Sequence, residues 1–499
     1  MYPPTIANTT PDAIAYEMAG SGASLTFADL DARSNALAHL LRRNGVRPGD
    51  SLVILLPNDL AWPVAVAAGM RTGLEVTPIN WHLRSTELVP MLAEAAPAAL
   101  VTSPDLAPLA MQACAHLDRT PYVLTVGGEI TGTTEFDSAL DGLPTTPVED
   151  ELLGARVLFS GGSTGRPKAY RQPLLGIHPL DAPARHPGLG AKLGIEAGIR
   201  FLSPAPSYHA APFTFQLMVA SAGGTVVCME SFDATGALRT LHERSITHSQ
   251  WVPTMLSRLL AVEDRHDIPV SPTHRVAVTS GAPCPPDLKD AINDWWGDVL
   301  HEYYGASEGY GHTYISPAES RERRGSVGRP LGAAKVRVTD AAGHDVPTGT
   351  VGRVGFEGTA ADGSTTVKGM GDLGRLDEDG YLYLSGRESF MIISGGVNIH
   401  PEEIEAVLTA HPAVADAAVF GLPHPDFGEE VVAVVELEPD ADLDAATRDD
   451  LLRDHCRDHL ARFKAPRRYE YVDKLPRLPT GKLNKKSLQS RYLPRTLKD

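Results

Sequence analysis

Residues 156–169 read RVLFSGGSTGRPKA, a β-rich apolar run that passes directly into a glycine-rich loop. Between Ser160 and Lys168 lie three glycines, three hydroxyls and two cations. Glycines let backbone N–H groups converge on phosphate oxygens, hydroxyls add donors, and Lys168 adds a mobile positive charge. Ser160, Gly162, Ser163, Thr164, Gly165 and Lys168 are therefore read as a phosphate cradle rather than a solvated turn. It is not a Walker loop, because Pro167 precedes the lysine and Ala169 comes after it.

Outward from this stretch, similar buried strands recur at 52–56, 98–102, 122–126, 225–229 and 275–280. Segments 27–43 and 234–243 between them carry helical spacing, so the fold class is α/β, in layers with largely parallel sheets. From Val351 to Ser385 the pattern turns to short strands broken by Gly and Asp, as in small antiparallel sheets or a β-barrel. A boundary falls near Arg387, giving expected domains of 1–386 and 387–499. Pro401-Glu402-Glu403-Ile404-Glu405 opens a helix with Pro at its first position and acids in its first turn. Strands at 414–420 and 431–437 and a charged helix over 445–460 complete a small α+β tail.

Composition narrows the function classes. With 42% hydrophobic and 21% charged residues over 499 positions, collagen, wholesale disorder and a coiled-coil rod are excluded. A net charge of −17 argues against a general role on nucleic acid or an anionic membrane. Cys114, Cys228, Cys284 and Cys456 lie far apart, without a CxxC pair, so neither a disulfide framework nor a cysteine zinc site is expected. No signal peptide is visible, and no apolar stretch nears the roughly 18 residues of a membrane span. The expectation is a cytoplasmic protein.

Further motifs lie beyond the cradle. Tyr303-Tyr304-Gly305-Ala306-Ser307-Glu308-Gly309 contains G-x-S-x-G, the nucleophile elbow of serine hydrolases, with His312, His400 and His424 downstream. An elbow needs a helix next, and Gly309-Tyr310-Gly311-His312-Thr313 is a poor helix start. The other reading gives Tyr304 a flat face for a base and makes Glu308 an oxygen ligand for Mg²⁺. Gly369-Met370-Gly371-Asp372-Leu373-Gly374 fits G-x-G-x-x-G, but residues 375–385 beyond it are strand-like, so it is no dinucleotide fingerprint. Asp372 is left as a ribose acceptor. Gly386-Arg387, Ile392–Ile399 and Leu478-Pro479-Thr480-Gly481-Lys482-Leu483 close the series.

In this order the five pieces resemble the adenylate-forming superfamily of acyl-CoA ligases, luciferases and peptide-synthetase adenylation domains. The resemblance implies a large N-terminal domain of layered α/β sheets plus a small β-barrel, and a mobile C-terminal cap. By resemblance, Ser280-Gly281-Ala282-Pro283 and Tyr303-Tyr304 would wall the adenine, with Ser307 beside them, and Glu308 would hold Mg²⁺. Asp372 and Arg387 would contact ribose, and Lys482 would bridge carboxylate and phosphate. His209 would gate an acyl pocket whose candidate residues include Tyr208, Ala210, Ala211, Phe213, Trp251, Val252, Gly281, Gly305, Gly309 and His312. Ser394, Gly395 and Gly396 would line a tunnel for the CoA thiol, with Phe390 at the hinge. ATP (or acyl-AMP), Mg²⁺ and CoA are the implied cofactors.

Three positions depart from the family pattern. Gly161 stands where a hydroxyl is usual, Ala169 where glycine is usual, and Phe390 where a charged hinge residue is usual. If position 169 needs a positive φ, its Cβ costs roughly 1–2 kcal/mol. The expected activity is activation of a fatty, aromatic or polycyclic acid and its transfer to CoA. The small, uncharged residues among the pocket candidates favour an apolar acid over an amino acid. The alternatives are an enzyme that thioesterifies an acyl-adenylate made by a separate adenylating enzyme, a serine hydrolase acting through Ser307, and a non-catalytic nucleotide sensor. A carrier protein as acceptor and a homodimer are left open; no carrier domain is expected before Asp499.

Overall fold

The computed structural model describes residues 2–83, 85–160, 168–182, 187–305, 309–359, 365–394, 397–424, 428–441, 443–444, 447–460, 464–478 and 482–493. They form two compact units: Met1–Gly281 with Ile292–His301, and Ala282–Ala291 with Glu302–Asp499.

The first unit is α/β. One sheet runs Thr134–Glu135, Tyr122–Thr125, Pro97–Thr102, Ser51–Leu55, Glu75–Pro78, Ala155–Ser160, Lys168–Arg171, parallel except for its last pair. Its central strands are buried on both faces, and the helix Ser85–Ala95 packs Leu88, Met91 and Leu92 against Val53, Leu55 and Leu100. Near-continuous Val/Ile/Leu runs are what a doubly covered parallel strand requires. A second set of parallel strands runs Val276–Thr279, His248–Trp251, Arg200–Ser203, Thr225–Cys228, Ile14–Met18. The helix Phe27–Arg43 starts where the sequence predicts because Thr26 and Asp29 form a reciprocal capping box, which satisfies two N–H groups that a helix start leaves unpaired.

Two buried histidines, His248 and His274, and the half-buried His301 sit in this unit. His274 Nε2 lies 2.8 Å from Ser249 Oγ, with its ring edge-on to Trp296. His248 Nε2 lies 2.9 Å from the Leu193 carbonyl. Burial pushes His274 down to about 3 and His248 and His301 down to about 4, with Arg275 adding to the effect at His248 and His248 to that at the other two. All three are neutral when folded, whereas an unfolded histidine titrates near 6.5. Between about pH 6.5 and 4 the unfolded chain binds more protons, so stability is lost as pH falls through that window. The urea midpoint should drop steeply from pH 7 to 4.5, and less steeply in His274→Asn. A midpoint flat over that range would contradict this.

In the second unit, Val336–Thr339, Gly352–Thr359, Thr365–Leu376 and Leu382–Arg387 form a four-stranded antiparallel sheet where the sequence suggests small antiparallel sheets or a barrel. The tail is a sheet of Val397–Ile399, Ile392–Ser394, Gly428–Leu437 and Val414–His424, with Arg468–Tyr471 paired to Gly428–Leu437. Side chains alternate between the faces of a strand. Ala417, Val419, Val431, Ala433 and Val435 accordingly meet the helices Pro401–Thr409 and Arg448–His459. Ala418, Phe420, Val432 and Val434 meet Lys485–Tyr492 on the other side. No helix among the described residues is long and apolar enough to cross a membrane.

Candidate active site

In the second unit three of the expected nucleotide contacts converge. Tyr304 lies near the end of the strand Leu300–Gly305, and its hydroxyl donates to Asp372 Oδ2 at 2.7 Å. Asp372 is buried in Thr365–Leu376 and pairs across the sheet with Arg387. The Tyr304 ring stacks on Phe356 at 6.2 Å and 23°. Phe356 thus backs the Tyr304 ring, a contact that the sequence does not signal because one aromatic on an alternating strand carries no separate mark. Tyr303 points to the opposite face, edge-on to His312 at 5.6 Å. Gly305 pairs with His312, and a Cβ at Gly305 would press on the imidazole, so the small residue is required there. The antiparallel strand His312–Ile315 stands where a nucleophile elbow needs a helix, so the serine-hydrolase reading loses its structural context. Likewise 369–374 lies inside a strand.

Lys482 is exposed, and its carbonyl accepts from the Leu478 N–H at 2.8 Å. Phe390 ends a short 3₁₀ turn, Glu388–Phe390, and the Lys485 ammonium lies 5.5 Å from its ring centroid. Lys485 also pairs with Glu405 at 2.7 Å and Glu402 at 3.6 Å. Gly386 has φ +122, and a Cβ there would overlap the Glu402 carboxylate. Ser394 is buried opposite Gly428. Ala282 and Pro283 begin this unit on a partly exposed segment, and Gly309 is exposed at φ +74.

In the first unit the cradle's two ends are joined, since Ser160 pairs with Lys168 in an antiparallel ladder. Gly162, Ser163, Thr164 and Gly165 lie outside the described residues, as do Ser307, Glu308, Gly395 and Gly396, and the side chains of Ser160, Lys168 and Arg387. Ala169 lies in the strand Lys168–Arg171 opposite Phe159. Among the described non-glycine residues only Ala96 and Ser245 have positive φ, so the strain considered for Ala169 is not there.

His209 is the N-cap of the helix Ala210–Ser221, and Tyr208, Ala210, Ala211 and Val252 lie beside it or at the matching end of the next strand. Arg156 ties the cradle strand to this helix through Thr214, with its guanidinium 5.8 Å from the Phe213 ring centroid. Two expected pocket residues are fully buried. Trp251 is 0% exposed, donates to Ser249 Oγ at 2.6 Å and packs on Trp296 at 5.9 Å. Phe213 is buried edge-on to Trp62. Ser280 and Gly281 come directly after the strand Val276–Thr279, Ser280 buried with no partner for its Oγ and Gly281 at φ +84. Burial pushes the Tyr208 phenol above its ordinary value, so it stays a neutral hydroxyl.

Glu308, the carboxylate offered to Mg²⁺ by resemblance, is not described, and among the described residues no group of three or more His, Cys, Asp or Glu could hold a metal.

Comparison with known proteins gives the wider setting. The family model "AMP-binding enzyme" matches residues 5–361, and "AMP-binding enzyme C-terminal domain" matches 403–482. A feruloyl-CoA synthase of an Amycolatopsis species is 31% identical over 98% of both chains. A 2-succinylbenzoate–CoA ligase of Bacillus licheniformis is 28% identical over 97% of this chain and 98% of its own. Among solved structures, o-succinylbenzoate CoA synthetase of Bacillus subtilis, in complex with its acyl-adenylate intermediate, superposes with a TM-score of 0.81. It is 27% identical and covers 98% of this chain and 97% of that one. The chain belongs to the AMP-binding enzyme family, the adenylate-forming superfamily of acyl-CoA ligases.

Proposed function

We propose that this enzyme activates a fatty, aromatic or polycyclic carboxylic acid as its acyl-adenylate and passes the acyl group to CoA. The observation that carries the reading is the Tyr304–Asp372 hydrogen bond with Arg387 across the sheet, a ready ribose and adenine contact. Relatives named for feruloyl and long-chain fatty acyl groups support an acid with a largely apolar body.

In the first step a carboxylate oxygen attacks the α-phosphorus of ATP, the bond to pyrophosphate breaks, and pyrophosphate leaves. Two anions meet, so the cations Lys168 and Lys482 offset the charge that builds as the bond forms. Mg²⁺ would supply further charge neutralisation at the phosphates. In the second step the CoA sulfur bonds to the acyl carbon, the carbon–oxygen bond to AMP breaks, and the thiol proton goes to solvent. Domain alternation about Phe390 would withdraw Lys482 and bring Ser394, Gly395 and Gly396 to the thiol.

The unstrained Ala169 weighs against an enzyme confined to the second step, since that reading rests partly on a distorted loop. The test is to run carboxylate plus ATP beside synthetic acyl-adenylate plus CoA. The expected result is ATP-dependent pyrophosphate release matched by CoA-ester formation. Ester from the adenylate alone would favour the one-step enzyme, and no ester from either would end the ligase reading.

A further inference from the structure

Three histidines of the tail stand together, and the adenylate chemistry uses none of them. His455 and His459 lie four residues apart on the helix Arg448–His459, a spacing that puts both on one face. Their ring centroids are 4.6 Å apart and the rings are tilted by 46°. His411, two residues past the end of the helix Pro401–Thr409, sets its ring edge-on to His455 at 5.0 Å. His455 is half-buried and His459 exposed, so the pair faces solvent.

The backbone fixes which nitrogen of each ring carries the proton. His455 Nε2 lies 2.9 Å from the Val407 carbonyl, and His459 Nδ1 lies 2.8 Å from the His455 carbonyl. A carbonyl oxygen only accepts, so both nitrogens donate, and the neutral rings keep lone pairs at His455 Nδ1 and His459 Nε2. Metal-bound histidines have this arrangement, one nitrogen held by a carbonyl and the other on the ion. His411 has the opposite one. Its Nδ1 accepts the Ala413 N–H at 3.2 Å, so its proton sits on Nε2 and it has no lone pair to give. The ligand set is therefore two imidazoles, in keeping with the lack of any metal-holding group of three or more among the described residues.

Spacing and charge both suit a cation here. A metal about 2.1 Å from a ring nitrogen lies about 3.2 Å from that ring's centroid, so centroids 4.6 Å apart subtend about 90° at the ion. That is the angle between neighbouring ligands of a square-planar or octahedral ion, and it is too narrow for tetrahedral zinc. Two helices also bring their negative C-terminal ends to this point, since Val407 lies in the last turn of one and His459 ends the other. Arg453 and Arg457 on the same helix are paired with Asp450 at 2.7 Å and Asp454 at 3.3 Å, which offsets their charge. We infer that His455 and His459 form a site for a divalent cation of tetragonal habit, Cu²⁺ above all and Ni²⁺ more weakly, with water in the remaining positions. Two histidines four apart on one helical face are the same device that zinc proteases use for two of their ligands. An ion held there clips the last turn of Arg448–His459, which His455 already ties to the helix Pro401–Thr409.

The test uses the full chain without a histidine tag, titrated with Cu²⁺, Ni²⁺, Zn²⁺ and Mg²⁺ by calorimetry. One Cu²⁺ should bind about tenfold or more tighter than Ni²⁺ or Zn²⁺, and Mg²⁺ should not bind, the order that imidazole ligands impose. His455→Gln and His459→Asn keep a donor to each carbonyl, because a glutamine amide nitrogen falls where Nε2 stands and an asparagine one where Nδ1 stands. Both remove the lone pair, so each should weaken Cu²⁺ binding by about tenfold or more, while His411→Asn should change it by less than about threefold. Paramagnetic resonance of the wild-type copper complex should show coupling to two ligand nitrogens, and to one in each variant. Unchanged copper affinity in either variant would place the ion elsewhere and overturn the inference. No saturable copper binding to the wild type, or coupling to any number of nitrogens other than two, would also overturn it. So would His411→Asn losing as much affinity as the other two. The acyl-adenylate reading stands whichever way this falls.

Discussion

Lys482→Ala is expected to lower ATP-dependent pyrophosphate release by about a hundred- to thousandfold, the usual loss when a preorganised donor to developing charge is removed. CoA-ester formation from supplied acyl-adenylate should fall by less than about threefold, since an interaction confined to one transition state affects that step alone. The asymmetry comes from where charge gathers. Attack by a carboxylate on phosphorus brings two anions together, and a cation bridging them is worth most at that moment. When the thiol attacks, AMP is already a good leaving group and the lysine has no comparable task. Lys482 is exposed, and an unchanged circular-dichroism melt of the variant would separate the loss of rate from a loss of fold. Lys482→Arg, which keeps the charge but spreads it over a broader head, should fall between the two. Stopped-flow pyrophosphate release and single-turnover ester formation separate the steps. An equal loss in both would show that Lys482 does not act in adenylation alone.

The elements that the sequence states best are those whose signals are local. The helix Phe27–Arg43 is bounded by a capping box and by Gly45 at φ +78, and both are written in adjacent residues. The central parallel strands are legible because burial on both faces makes them uniformly apolar. Alternation alone does not say which face of His248–Trp251 looks toward a ligand. That Trp251 is fully buried and packs on Trp296 is set by the fold and is not written in the strand itself. The helix Ala210–Ser221 buries apolar residues around most of its circumference, so its sequence does not mark which face looks to a pocket. The segment 365–376 reads as broken strands because of its glycines, yet forms one strand with register shifts on both sides. The strain anticipated at Ala169 depends on a backbone angle that composition does not encode. What joins Tyr304, Asp372 and Arg387 is long-range pairing, and only the order of the motifs hints at it.

Lys289→Met should be the most damaging single change to stability in the second unit. Lys289 Nζ lies 2.8 Å from Glu302 Oε2 and 3.4 Å from the Ser326 carbonyl, and the two charged side chains are 3% and 4% exposed. Removing one partner of such a pair strands the other in a low dielectric, at a cost of about 3–5 kcal/mol, even where the intact pair adds little. For a domain of this size that is a fall in Tm of more than about 6 °C. Burial raises the Glu302 carboxyl above its ordinary value and Lys289 restrains it, so in the variant the carboxyl should prefer to be protonated. A raised folded-state value means that the folded chain holds a proton the unfolded chain has released, so stability is present at low pH and lost as pH rises through that value. The deficit should be largest near pH 8 and shrink towards pH 5, as read from urea midpoints. Lys289→Met with Glu302→Leu removes both charges and should recover most of the loss. Glu302 lies two residues before Tyr304 on the same strand, so the single variant should also raise the KM for ATP while the double restores it. A single variant as stable as the wild type at pH 8 would mean that water reaches Glu302, and the pair could not then be what fixes the strand beneath the tyrosine.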